Sequence, residues 1–461
     1  MATTKALHEI YQRNTPFGLL MRLDEAADPK AEMLAAMKRL GCRVSGLELI
    51  DLEAGASVYE MTLFTTGDEQ MAAARAALDA LAGVEVVEVV DLAMESHEGG
   101  SCEMRSRAPI ETNTDLRIVY TPGVARVCKA IEAEPALARR YTNIANKVAI
   151  ATNGTAILGL GDIGPLAGLP VMEGKAAIFW EFAEVSAEPI LIDTHDADEF
   201  INVIEKLACG FGAIQIEDVK APECFRITRE LDARLPIPVF HDDQHGTATI
   251  VLAGLYSALR NAGKDLAAVR CAVSGAGAAG TAIADLLMNA GMPAPILCDR
   301  AGAIYRGRSE NMNEEKVALA QRTNPENVKG TLADAMKGCD LFIGVSQPNI
   351  VTGEMVRAMA KHPIIFALAN PVSEISCEDA MAAGAAVYAD GRMMNNALAY
   401  PGIFRGALDA EAPSITMDMM MAAAHALAAL VPQGELMPEM MDPNTHQAVA
   451  DAVMQAAGAN A

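Results

Sequence analysis

Hydrophobic and polar positions change period in a compact order along the first part of the chain. A short apolar run, Phe17 to Leu23, precedes a helical pattern from Pro29 to Leu40, which Gly41 ends. Two alternating stretches follow, Val44 to Leu52 and Ser57 to Phe64, joined by Glu53-Ala54-Gly55-Ala56. An Ala-rich helix is predicted from Glu69 to Leu81, with Gly83 as its stop, and then a strand from Val84 to Val90. The order β-α-β-β-α-β predicts a ferredoxin-like sandwich, a four-stranded sheet covered by two helices. Residues 93 to 115 are polar and turn-rich, with charged arms at Arg105 and Arg107, and read as a linker.

Beyond the linker, apolar runs alternate with helical patterns. Strands are predicted at Val148 to Ile150, Ile190 to Ile192, Ala213 to Ile216, Val239-Phe240, Cys271 to Ser274, Ile296 to Cys298, Leu341 to Ile343 and Ile364 to Leu368. Such alternation implies an α/β fold of parallel sheets with helices on both faces. An amphipathic helix from Thr247 to Ala262 precedes a fresh strand-helix-strand unit, so the region is expected to divide into two α/β parts there. The tail from Ser414 to Ala459 reads as two helices around a Pro-rich turn.

Composition narrows the class. Of 461 residues, 51% are hydrophobic and 21% charged, which excludes global disorder and leaves enough apolar surface for a large core. The formal charge of −24 repels phosphate backbones and anionic bilayers, so neither nucleic acid nor a membrane is an expected partner. Nine scattered cysteines, never spaced C-x-x-C, fit neither a disulfide framework nor a thiolate zinc site. Together with the absence of a leader-like apolar start, they predict a cytoplasmic protein. The 26 methionines lie in helical segments such as Met417 to Met421 and are expected to fill core gaps.

Chemistry concentrates in a few places. The strand Cys271 to Ser274 runs into Gly275-Ala276-Gly277-Ala278-Ala279-Gly280, with a helix predicted from Thr281 to Ala290. This context makes the glycine motif a dinucleotide site, with backbone N–H groups and a helix N-terminus facing a pyrophosphate. Asp299 lies 19 residues after Gly280, at the end of the next strand, where its carboxylate can accept hydrogen bonds from ribose hydroxyls. That favours NAD, while Arg300 beside it keeps NADP open. A second glycine motif, Gly159 to Gly164, is followed by Pro165, Gly168 and Pro170, so no helix is expected to start there. It reads as an irregular loop, either lining a site or only reversing the chain.

Carboxylate pairs follow two predicted strands, Glu217-Asp218 and Asp242-Asp243. Carboxyl ends of parallel strands converge, and three or four carboxylates meeting there call for a hard cation such as Mg²⁺ or Mn²⁺. Such pairs also serve as helix N-caps, the better reading for Asp193-Thr194-His195-Asp196. His241 and His245 have a zinc-like spacing, but hard ligands dominate their surroundings. Tyr120 lies in a turn expected to join an extended strand to a helix, and Gly174-Lys175 in another of the same kind. Nothing in spacing brings these two together.

Taken as a set, Tyr120-Thr-Pro-Gly-Val124, Ile157 to Asp162, Gly174-Lys175, Ile216-Glu-Asp218, His241 to Thr247, Gly275 to Gly280, Ala369-Asn-Pro371 and Asn395 to Gly402 resemble the malic enzyme family, short bacterial type, over about residues 108 to 455. The first 92 residues resemble an ACT regulatory domain. The resemblance implies an ACT-like domain at 14–93, a linker at 94–115, a malate- and metal-binding part at 116–246, a Rossmann NAD-binding part at 247–430 and a helical tail at 431–461. It implies oxidative decarboxylation of L-malate to pyruvate and CO₂, with reduction of NAD or NADP and with Mg²⁺ or Mn²⁺ held by Glu217, Asp218 and Asp243. Lys175 is then the base for the C2 hydroxyl, kept partly neutral by burial near a cation, with Asp242 beside it. Tyr120 protonates C3, Asn370 and Asn396 bond substrate carboxylate or nicotinamide, and Ala276 to Ala279 cradle the pyrophosphate. Longer family members carry an Arg just before the Ile157 loop, where this chain has Thr155-Ala156. The Ala27-Asp-Pro-Lys-Ala31 turn lacks the glycine against which many ACT domains seat an amino acid. The resemblance also allows a malolactic reaction, a small-molecule effector and a homo-oligomer. A non-catalytic NAD-binding regulator is the rival from another class.

Overall fold

The computed structural model describes residues 15–53, 55–157 and 159–459, which divide into two compact units on either side of the Ser101–Cys102 bond. The expected first domain starts at residue 14, just outside the described residues, as do Leu158 of the quoted loop motif and the last two residues of the expected tail.

The N-terminal unit contains β1 (Thr15–Asp24), β2 (Arg43–Glu53), β3 (Ala56–Thr65) and β4 (Val84–Asp91), with helices Lys30–Arg39 and Asp68–Asp79 between them. The elements come in the order the periodicity predicts. The sheet runs β2-β3-β1-β4, and β1 pairs antiparallel with both neighbours. Alternation sends Leu19, Met21 and Leu23 of β1 and Met61 and Leu63 of β3 to one face, where Met33, Met37 and Leu78 of the helices cover them. On the edge strand β2, Leu49, Ile50 and Leu52 stay exposed.

The second unit holds two sheets. One consists of β5 (Lys147–Thr152), β6 (Ser186–Leu191), β7 (Ala213–Ile216) and β8 (Val239–His241), all parallel, in the order β6-β5-β7-β8. The other consists of β9 (Cys271–Ser274), β10 (Ile296–Asp299), β11 (Gly302–Ala303), β12 (Leu341–Gly344), β13 (Ile364–Ala367) and β14 (Val387–Asp390), in the order β11-β10-β9-β12-β13-β14. Only β11 runs antiparallel in it. The short strands β11 and β14 carry no run long enough to announce them.

Two sequence expectations fail here for identifiable reasons. The helix Thr247–Ala262 is not amphipathic in its surroundings, since every residue from Ala248 to Leu255 is buried. Its core cluster includes Phe240 of the first sheet, Val273 and Leu341 of the second, and Leu427 and Val453 of the tail helices Met417–Leu430 and Pro443–Ala459. A helix covered on all sides joins the two sheets into one unit. The other failure is the helix Pro165–Ala183, which starts where none was expected. Proline is favoured at a helix's first position, and Pro170 one turn later removes a single backbone bond. Burial of Met172, Ala176 and Phe179 offsets that loss.

Candidate active site

β5, β7 and β8 are neighbouring parallel strands, so their carboxyl ends open at one edge. Glu217 and Asp218 follow β7; Asp242 and Asp243 follow β8 on a single π turn, Asp242–Gly246. Such a turn hands the chain directly into the buried helix Thr247–Ala262 and points both carboxylates at the strand ends. Lys175 reaches in from the third turn of Pro165–Ala183, not from the loop the sequence suggested. Its Nζ lies 2.9 Å from Glu217 Oε1 and 2.5 Å from Asp242 Oδ2, and its side chain is 16% exposed.

One ammonium thus contacts two buried carboxylates, Glu217 and Asp242. Burial opposes the charge on Lys175, but Asp242 and Glu217 outweigh it and hold the group above the ordinary lysine range. The partly neutral lysine expected from the sequence is therefore not what these side chains produce by themselves. Burial raises Glu217, against the pull of Lys175, and pushes Asp243 up to about 6. Carboxylate oxygens of Glu217, Asp218 and Asp243 lie within 4.8 Å of one another, a hard, buried donor set that fits Mg²⁺ or Mn²⁺. Asp218 adopts a left-handed φ of 50°, and its N–H donates to Asp243 Oδ2 at 3.1 Å, so the backbone bends to aim the two acids at each other. His241 and His245 are core residues, and burial depresses each to about 4. The His241 ring stands 3.9 Å from Asp243 and belongs to no zinc pair.

Three side chains surround this cluster, and two of them, Gln215 and Tyr400, have no assigned role in the sequence reading. Gln215 on β7 donates to Glu217 Oε2 at 2.7 Å. Asn396 sends its amide N–H to Asp242 Oδ2 at 3.3 Å and Thr247 Oγ1 at 3.0 Å, so it orients Asp242. The Tyr400 ring lies 4.7 Å from Lys175 Nζ, and its buried phenol is held above the ordinary range by burial first. A glutamine inside a strand or a tyrosine opening a helix gives no signal, because core packing uses both.

The dinucleotide motif turns from β9 into the helix Ala278–Asn289. Its glycines do different jobs. A Cβ on Gly280 would stand 1.8 Å from Gly275 O, and one on Gly275 2.6 Å from Val345 O, so both are packing positions. A Cβ on Gly277 meets nothing within 4 Å, which leaves that backbone open to a ligand. We expect Gly277→Ala to keep the thermal stability within about 1 kcal/mol while weakening NADH binding about tenfold or more by fluorescence titration. Gly280→Ala is expected to destabilise the fold itself.

The motif lines a cavity of about 1140 Å³, together with Asp299, Arg300, Ser346 and, from the first α/β part, Phe225. Asp299 is not a free carboxylate. Its oxygens accept from Arg308 at 2.5 Å, Lys316 at 2.7 Å and Asn311 at 2.9 Å. Burial would raise it, but these bonds outweigh burial and lower it. Its repulsion of a 2′-phosphate is correspondingly weakened. Below the cavity floor, buried Glu374 accepts from the N–H groups of Ser346 and Ala369 and ties together the loops after β12 and β13.

Asn370 sits exposed beside the Gly159 loop, where a Cβ on Gly159 would be 3.6 Å from Pro371. That loop is closed at its neck, with Ile163 and Gly164 N–H groups donating to Gly154 O. Ala156 N–H donates to Asp218 O at 2.9 Å, so the loop also braces the acidic cluster. Tyr120 is the one expected catalytic residue not brought in. It caps a helix, Asn113–Val119, where a strand was expected. The Thr112–Asp115 capping box starts that helix. Tyr120 is 65% exposed, and its phenol meets no polar partner among the described residues.

Residues 100–232 match the family profile described as Malic enzyme, N-terminal domain, and residues 244–459 the one described as Malic enzyme, NAD binding domain. The NAD-dependent malic enzyme of Geobacillus stearothermophilus is 44% identical over 438 residues, 93% of this chain and 91% of that protein. The bifunctional malic/malolactic enzyme of Bacillus subtilis (strain 168) is 46% identical over 78% of this chain and 90% of its own length. Among solved structures, the malic enzyme of Pyrococcus horikoshii superposes with a TM-score of 0.77 at 39% identity, covering 80% of this chain and 90% of that one.

Proposed function

The chain belongs to the malic enzyme family, and from that premise we infer that it decarboxylates L-malate oxidatively to pyruvate and CO₂, with NAD or NADP as hydride acceptor. One observation carries this reading: a lysine paired with Glu217 and Asp242, beside the converging acids Glu217, Asp218 and Asp243 at the strand ends, shares a compact unit with a glycine-turned dinucleotide cavity.

Lys175 takes the proton of the C2 hydroxyl, and Asp242, held by Asn396, fixes the direction in which Nζ points. Glu217, Asp218 and Asp243 hold the divalent cation, which when bound supplies positive charge for oxygen atoms of the substrate. Tyr120 returns a proton to C3. Ala276, Ala278 and Ala279, with the three glycines, receive the pyrophosphate, and Asp299 the adenosine ribose. Asn370, beside the Gly159 loop, and Asn396 bond the substrate carboxylate or the nicotinamide amide. The N-terminal unit is read as an ACT-like module for assembly or for an effector.

The test is absorbance at 340 nm on adding L-malate and Mn²⁺ to the purified protein with each nucleotide. A steady rise, faster with NAD than with NADP, is the expected result. Lactate formed without net NADH would instead identify a malolactic reaction, and no turnover despite nucleotide binding would overturn the enzymatic reading.

A further inference from the structure

We propose that Lys220 anchors the substrate, its ammonium binding the C1 carboxylate of malate, the one that is kept in pyruvate. The proposal rests on the reading of this site as one that decarboxylates malate, and it adds a contact that the acids and Lys175 do not supply.

Position comes first. Lys220 lies two residues after Asp218, a separation of at most about 7 Å along the backbone. The two residues that follow it, Ala221 and Pro222, line the dinucleotide cavity. Lys220 therefore stands between the converging acids and the nucleotide, where a substrate has to lie to pass a hydride from C2. Its backbone is pinned there. Lys220 N–H donates to the buried Thr155 Oγ1 at 3.0 Å, Thr155 donates to Asn153 Oδ1 at 2.7 Å, and Ala156 N–H donates to Asp218 O at 2.9 Å.

The side chain, by contrast, is uncommitted. Its ion-pair partner, Asp162 Oδ2 on the Gly159 loop, is 3.8 Å from Nζ, beyond hydrogen-bond reach, and His195 Nδ1 stands 3.8 Å from the same oxygen. Nζ makes no hydrogen bond among the described residues, and the side chain is 41% exposed. Lys175 is bound on two sides by buried acids; Lys220 swings on a flexible four-carbon stem and can leave Asp162 for a stronger acceptor. Charge gives the reason to move. Glu217, Asp218, Asp242 and Asp243, set against Lys175 and a divalent cation, leave one net negative charge, and malate brings two more. A second ammonium at the edge of this cluster offsets that repulsion.

The reaction itself decides which carboxylate the ammonium holds. Decarboxylation carries negative charge off the C4 carboxylate as CO₂ departs, so a cation bound there would stabilise the starting state more than the transition state and slow the step. The C1 carboxylate keeps its charge from malate through to pyruvate. An ammonium on C1 binds substrate, intermediate and product alike, and its loss is felt in KM and not in kcat.

The test is steady-state turnover of L-malate with NAD and Mn²⁺ by Lys220→Met beside wild type, with pyruvate added as a product inhibitor. In Lys220→Met the KM for malate and the Ki for pyruvate are expected to rise together, each by about 10–100-fold, while kcat stays within about threefold. Lys220→Arg, which keeps the charge, is expected to recover most of the loss. The melting temperature should match wild type, since the side chain is exposed and makes no hydrogen bond. An unchanged KM for malate in Lys220→Met would overturn the proposal. So would a fall in kcat at constant KM, which would place Lys220 in the chemistry and not in binding. A raised KM with an unchanged Ki for pyruvate would put the ammonium on the departing carboxylate and overturn the assignment to C1. A wild-type protein without malate turnover would defeat the underlying reading of the site, whereas wild-type turnover with an unaffected Lys220→Met defeats this inference alone.

Discussion

Lys175→Ala is expected to lower malate turnover by about 10²–10⁴-fold while NADH binding stays within about twofold of wild type. The separation follows from the geometry. Lys175 touches Glu217, Asp242 and the Tyr400 ring, and none of these lines the dinucleotide cavity. The fall should therefore appear in kcat, with little change in nucleotide affinity. The same substitution also removes the cation that contacts Glu217 and Asp242. Leaving a buried carboxylate without its partner costs about 3–5 kcal/mol, so the variant should melt earlier than wild type when divalent cations are withheld. Lys175→Arg separates the two effects. It keeps a positive charge against Asp242, and so should recover much of the stability, but a guanidinium does not give up its proton and turnover should stay lost. A Lys175→Arg chain with more than a tenth of wild-type turnover would show that the proton leaves the substrate by another route.

How far the site could be read in advance depended on whether its chemistry sat on the periodic pattern. The glycine turn and the pairs Glu217-Asp218 and Asp242-Asp243 were legible because each follows an apolar run that must be a buried strand, and strand ends of a parallel sheet converge. The six-element order of the N-terminal unit was legible for the same reason, since its periods switch cleanly. Lys175 is expected at a strand-to-helix junction but lies inside a helix that starts at Pro165, where the sequence reading expects none, although helix starts tolerate proline. The partners of Asp299, Arg308 and Lys316, come from a loop and a helix start that no period links to β10. Asn396 and Tyr400 were hidden differently. Their motif stands out, but only the packed structure shows one bonding Asp242 and the other roofing Lys175. Tyr120 marks a further limit, since its motif stands out in the sequence but the side chain is 65% exposed.

Removing divalent cations with EDTA is expected to reduce turnover more than about 100-fold, with Mn²⁺ restoring it, and the cation should also stabilise the fold. The stability effect has a sign that the carboxylates fix. Burial raises Asp243 to about 6 and moves Glu217 in the same direction, so the folded, cation-free protein holds protons that the unfolded chain has already released. The contribution of these two groups to stability is therefore fully present below the unfolded carboxylate values and is lost as pH rises through about 6. A divalent ion reverses that loss by taking the place of the protons. Mn²⁺ should consequently raise the melting temperature more at pH well above this window than within it; at a concentration of 100 Kd the gain is about 2.7 kcal/mol. Asp243→Asn tests the assignment directly. It removes one of three converging oxygen charges, so it should abolish both the Mn²⁺-induced rise in melting temperature and the turnover. It should also leave the cation-free protein at least as stable as wild type at neutral pH, because one buried repulsion is gone. A variant that still gains the full stabilisation from Mn²⁺ would move the cation away from Asp243 and from the strand-end cluster.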